Sequence, residues 1–197
     1  MIPVSLFASM VTATMTAPHA NIEQHTKEES ITKPCSYNKT TSVCGAGQDP
    51  SAINVATYIV HYSLKQGDLY NLHRFKLHKL MYFVQAASML ITNKPMFNAK
   101  IEAWDFGPVV PDIYNLPGKF TSLEMSYCGF KCHPETWNNY TLKKEQKEII
   151  EQVVDNFLQY TYLQMNDIIR NQTPWKNAQY TYSKEITPQA LYDYFNQ

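Results

Sequence analysis

Apolar positions keep a helical period most densely between Leu72 and Tyr114. Leu77, Leu80, Met81, Val84, Ser88 and Ile91 fall at i, i+3, i+4, i+7, i+11 and i+14, one stripe of an α-helix. Phe75, Phe83, Ala87 and Leu90 widen that stripe past a normal amphipathic face, so the helix is expected at the centre of the core. Asn71 is placed to cap it, and Lys94-Pro95 to end it, since a residue before proline disfavours the α region. Upstream, Ile53, Ala56, Val60 and Leu64 predict a helix behind Ser51 as N-cap, stopped at Gly67. Downstream, Lys100 to Trp104 alternates polar and apolar, which predicts a short strand. Gly107-Pro108 reads as a helix start leading to about Tyr114.

Residues 116 to 140 lack a helical period; Tyr127 to Lys131 and Thr136 to Leu142 are candidate arms of a small hairpin. The helical pattern returns from Thr141, where Ile149, Ile150, Val153, Val154, Phe157 and Leu158 share one face. Gln164 to Asn171 predicts a short helix, Pro174-Trp175 opens another, and Thr187-Pro188 starts the last, with Leu191, Tyr194 and Phe195 turned inward. The expected fold is mainly α: a compact helical domain around one buried central helix, with a small β element, over residues 51–197. Residues 1–50 are rich in Thr, Ser, Asn, Lys and Glu from Pro18 onward and hold no sustained period, so a flexible leader is expected there.

Charge changes the picture by exclusion. Seventeen basic and seventeen acidic side chains cancel, so no general field draws nucleic acid or anionic lipid, and neither partner is expected. No stretch reaches the ~18 apolar residues of a membrane span. The first cation is Lys27, which leaves the weakly apolar start without the basic segment of a signal peptide. Four scattered cysteines are too few for a disulfide scaffold, and a reducing cytoplasm is the expected compartment. The fourteen tyrosines suit surfaces that are half buried or bind protein.

Catalytic patterns are sparse. No G-x-S-x-G or H-E-x-x-H occurs, and the five-residue spacing of His73 and His78 puts them ~140° apart around a helix. Cys128, Cys132 and His133 resemble part of a zinc set, but Cys35 and Cys44 are spaced unlike a ligand pair, so no metal and no cofactor are expected. Two clusters remain. His73, Arg74, Lys76, His78 and Lys79 crowd the start of the central helix, where cations oppose its dipole. They form either a solvated face, with Glu102 and Asp105 as plausible partners, or a basic lip that meets an acidic patch on another protein. Trp104, Phe106, Gly107 and Pro108 form either a tight core corner or a binding surface, and Trp175 beside Pro174 poses the same choice.

Three motifs occur in order: LHKLMYF (Leu77 to Phe83), IEAWDFGPVVPDIY (Ile101 to Tyr114) and PWKNA (Pro174 to Ala178), before a final helix ending in YDYF. Together they resemble the Panacea, or SocA-like, antitoxin domain over roughly Ala52 to Phe195. The resemblance implies an antitoxin that neutralises a cognate protein toxin by direct binding, with no catalytic centre or cofactor. In one branch of the family it implies an adaptor that hands the toxin to a Clp-type protease. Where many members have Thr-His and an acidic residue before the Pro-Trp, this chain has Arg170 to Thr173, so no role of that histidine carries over. The candidate partner-binding residues are Arg74, Lys76, Lys79, Trp104, Phe106, Gly107, Pro108 and Trp175. The competing classes are an enzyme with an unrecognised hydrolytic site and a nucleic-acid-binding repressor.

Overall fold

The computed structural model of the protein describes residues 50–66, 72–116 and 142–196. The expected leader, the candidate hairpin, Gly67, Asn71 and all four cysteines lie outside the described residues. Helix α1 (Pro50–Lys65) begins at the proline, so Ser51 lies within the first turn rather than capping it. Helix α2 (Arg74–Thr92) follows, with every residue from Lys76 to Met89 buried. It ends at Asn93, whose φ of 54° is left-handed and whose N–H reaches Met89 O at 3.0 Å. Asparagine tolerates that conformation better than most side chains.

Buried Gln85 on α2 then holds the next connector. Its amide donates to Phe97 O at 3.0 Å and accepts from Met96 N at 2.9 Å and Phe97 N at 3.2 Å. The connector delivers strand β1 (Ile101–Trp104), which pairs antiparallel with β2 (Gly107–Val109), with Trp104 opposite Gly107. Here the structure corrects the expected helix start at Gly107-Pro108. Asp105 and Phe106 form a tight turn, and Gly107 leaves it at φ 100°. Pro108 sits in an edge strand, where its missing N–H costs nothing. The helix begins later, as α3 (Pro111–Tyr114) behind an extended Val110.

Helix α4 (Lys144–Phe157) buries Ile149, Ile150, Val153, Val154 and Phe157, the face expected of it. Phe157 stacks on Phe83 of α2 at 4.0 Å between ring centroids, with an interplanar angle of 12°. Helix α5 (Tyr162–Arg170) starts two residues before the expected Gln164. Gln164 is the N3 member of a capping box: Thr161 N donates to its Oε1 at 2.8 Å, and its N donates to Thr161 Oγ1 at 3.2 Å. Helix α6 (Thr173–Gln179) leads to strand β3 (Glu185–Ile186), which adds to the far side of β1 and gives the order β2-β1-β3. Helix α7 (Pro188–Phe195) closes the chain, with the Thr187 hydroxyl accepting from Ala190 N at 3.1 Å.

The fold is mainly α, with α2 enclosed by α1, α4, α5, α7 and the small sheet. Among the described residues no helix is long and apolar enough to cross a membrane.

Candidate partner-binding site

The hairpin turn ends in a cluster of aromatic rings over the start of α2. Phe106 meets Phe75 edge-on at 5.0 Å and Trp104 edge-on at 5.6 Å. Trp104 in turn meets Tyr114 at 5.0 Å, and Phe75 is 6.3 Å from Tyr162. Arg74 lies over the Tyr114 ring at 3.7 Å and donates to the Tyr114 carbonyl. These side chains are half-buried or, for Phe106, exposed: 37 % of it faces solvent. The Trp104 indole N–H donates to Glu102 Oε2 at 2.7 Å, which fixes the ring without hiding it. Aromatic side chains held this way present rigid area at low entropic cost, as interface anchors do.

Behind the rings is a buried polar layer. His78, wholly buried, accepts from Val110 N–H at its Nδ1, 3.3 Å away. That puts the imidazole proton on Nε2, which has no partner among the described residues. Burial first, then the charges of Lys79 and Arg74, lower the His78 pKa to about 3, so the ring is neutral in any physiological range. Lys79, also wholly buried, donates from Nζ to Phe106 O at 2.6 Å. Burial alone lowers its pKa from the ordinary 10.5 to about 7. Tyr82, one turn on, donates to Gln172 Oε1 at 2.7 Å.

The basic cluster is therefore not the solvated face or exposed lip that the sequence suggests. Lys76 and Lys79 are 1 % and 0 % exposed. Lys76 runs to the C-terminal end of α4, where its ammonium donates to Leu158 O at 2.6 Å, a favourable place for a cation on a helix dipole. The carboxylates expected to compensate the cluster are committed elsewhere: Glu102 to Trp104, and Asp105 to Lys184 at 4.0 Å. Gly107 and Pro108 are buried beneath the turn and set its geometry, while Trp175 is a core residue, 8 % exposed, with Arg170 over its ring at 5.1 Å. Arg74, Trp104 and Phe106 are thus the candidates that the structure gathers at one accessible surface. Sequence reading missed Phe75, Tyr114 and Tyr162 as members of it. Phe75 reads as core from its spacing, and nothing local in the sequence brings Tyr162 to Phe75.

This layer bonds the first two sequence motifs to each other and the first to the residues leading into the third. His78 and Lys79 of the first hold Val110 and Phe106 of the second, and Tyr82 holds Gln172 just before the third. The SocA-like antitoxin Panacea domain matches residues 77–176. The chain belongs to this family. No curated protein and no solved structure matches it. An antitoxin role in general follows for this Panacea domain, and such a family argues for a non-enzymatic one.

Buried Lys79 makes the stability of the Panacea domain depend on pH. The unfolded chain keeps the lysine proton to about pH 10.5, while the folded one releases it near pH 7. The unfolded state therefore holds more protons between these values, and stability rises with pH across that window. In Lys79→Met, relief of the buried charge (~1–4 kcal/mol) is offset by the Phe106 carbonyl left without its donor (~1–3 kcal/mol). The expected result is a similar melting temperature near neutral pH and a loss of the wild-type rise towards alkaline pH. Melting curves of both proteins at matched pH values check this.

Proposed function

We propose that the protein is an antitoxin that silences a cognate protein toxin by binding it directly, and that the turn carrying Trp104 and Phe106 is the contact surface. The observation that carries the reading is the cluster of partly exposed rings, held from behind by bonds that join the family's own motifs. A core corner would bury these rings. Here Phe106 remains exposed against Phe75 and Trp104, with Arg74 at the rim. We place the complex in the cytoplasm, without nucleic acid or membrane.

Delivery of the toxin to a Clp-type protease is the adaptor form of the same reading. It requires a second accessible surface, and the connector between α6 and β3 offers one. Tyr180 and Tyr182 there are almost fully exposed, although Thr181 N–H to Ala178 O at 3.1 Å and Lys184 N–H to Thr181 O at 3.3 Å fix the backbone around them.

The test is co-expression with the neighbouring gene product, scored by growth and by pull-down. The expected result is rescue of growth together with a physical complex. Rescue with no complex would overturn direct binding. Failure to rescue a demonstrably toxic neighbour would count against that pairing. Repeating the assay in a host lacking its Clp protease separates the two forms: rescue lost there means delivery, and rescue kept means blockade by binding alone.

A further inference from the structure

We propose that Lys79 is a latch for the aromatic turn: with its ammonium donating to the Phe106 carbonyl the turn is held against α2, and loss of that proton lets Phe106 and Trp104 shift. The functional consequence rests on the contact surface proposed above; the latch itself does not.

The geometry is specific. A side-chain methyl built on Gly107 would lie 2.0 Å from Asn166 Oδ1, 2.8 Å from Lys79 Cε and 2.9 Å from Lys79 Nζ. The lysine head and the asparagine amide therefore close on the turn from α2 and α5, and only glycine leaves them room. Asn166 is buried, and its Oδ1 has no hydrogen-bond partner among the described residues. The Phe106 carbonyl is the acceptor that the lysine does have.

No carboxylate shares the charge. On its own helix Lys79 has the cations and imidazoles of Arg74, Lys76, His73 and His78. From the hairpin come Glu102 and Asp105, held by Trp104 and Lys184. Helix α5 brings Asp167 and Arg170, both exposed, and the packed helices α1, α4 and α7 bring His61, Glu151, Asp155 and Asp193. Among the described residues none of these makes an ion pair with Lys79. Its charge is thus matched by the Phe106 carbonyl dipole and by the face of the Phe106 ring, 5.7 Å away, and a charged donor binds such an oxygen roughly twice as strongly as a neutral one. Deprotonation removes that excess at the hydrogen bond that ties the turn to α2, beside the ring contact of Phe75 with Phe106. Phe106 and Trp104 are coupled edge-to-face, so movement of one disturbs the other. Lys79 lies within the core and is a positioning residue, not a contact.

The experiment uses the full chain labelled with fluorotryptophan, with the Trp104 fluorine resonance assigned by Trp104→Phe and followed from about pH 5.5 to pH 9.5. The expected result is a reversible shift of the Trp104 resonance with a midpoint near 7, while the resonance of core Trp175 stays put. In Lys79→Met the shift should vanish. In His73→Gln it should remain, because His73 titrates below its ordinary 6.5 through burial and the charges of Lys76 and Lys79. An unmoved Trp104 resonance in the wild type, or the same shift in Lys79→Met, would overturn the latch. If Lys79→Met does not fold, Asn166→Ala serves as the second variant. It opens space beside the lysine, eases its hydration, and should move the midpoint upward; an unchanged midpoint would count against the proposal. Because the resonance is read without a partner, this outcome is independent of whether the surface binds a toxin. If both hold, affinity for the toxin should change through the same midpoint.

Discussion

Gly107→Ala is expected to lower the stability of the domain by about 3 kcal/mol, seen as a fall in melting temperature of roughly 10 °C. Two separate costs meet there. A φ of 100° lies in the region that side chains with a Cβ rarely adopt, which costs ~1–3 kcal/mol. The added methyl also runs into Asn166 Oδ1 and the end of Lys79. The costs separate by a second substitution. Gly107→Ala combined with Asn166→Ala should recover the part due to Asn166 and leave the backbone part with the contact to Lys79, at least half of the loss. Full recovery would mean that the φ is relaxed at no cost. A wild-type melting temperature in the single variant would contradict the geometry of the turn.

Phe157→Ala should cost more, about 4 kcal/mol. Its ring stacks on Phe83 at 4.0 Å and meets Tyr160 at 6.0 Å, and both Phe157 and Phe83 are fully buried. Truncation leaves a cavity between α4 and α2 that neither helix can close, because α4 is also tied to α1. Tyr58 donates to Glu151 there, and Tyr62 donates to both carboxylate oxygens of Asp155 at 3.1 Å. Denaturant unfolding checks the value. The aromatic turn meets α2 through Phe75 and Lys79, not through Phe83, so Trp104 should keep its wild-type fluorine shift in the folded variant. A loss below 1 kcal/mol would show that the stack carries little of the core.

The buried centre was legible because periodicity reports burial. The stripe through Leu77, Leu80, Met81 and Val84, widened by Phe83 and Ala87, marks a helix enclosed by others, and α2 is one. The face of α4 and the Thr187-Pro188 start were readable for the same reason or from capping chemistry. Gly107-Pro108 misled because its two residues satisfy two rules. The pair fits a helix start, and it equally fits a turn with positive φ followed by an edge strand. Pairing with β1 decides between them, and pairing is not a local property. Strand β3 is two residues long and exists only through β1.

The site was half legible. Trp104 and Phe106 stood out by type. Lys76 and Lys79 misled because charge is normally solvated, whereas here each ammonium finds a backbone carbonyl from a segment far along the chain, Leu158 and Phe106. A lysine buried against a carbonyl looks, in sequence, like a lysine in water. Tyr162 reaches Phe75 only because α5 packs on α2.

The proposed contact is between the aromatic turn and the toxin. The most direct measurement is the affinity of the purified toxin for the wild-type chain and for Phe106→Ala, with melting curves to confirm that both are folded. Phe106 is exposed enough that its truncation should leave most of the fold's stability in place. The variant should bind at least thirty-fold more weakly, the effect of losing an interface anchor worth about 2 kcal/mol. A folded Phe106→Ala that binds the toxin as tightly as the wild type would contradict it.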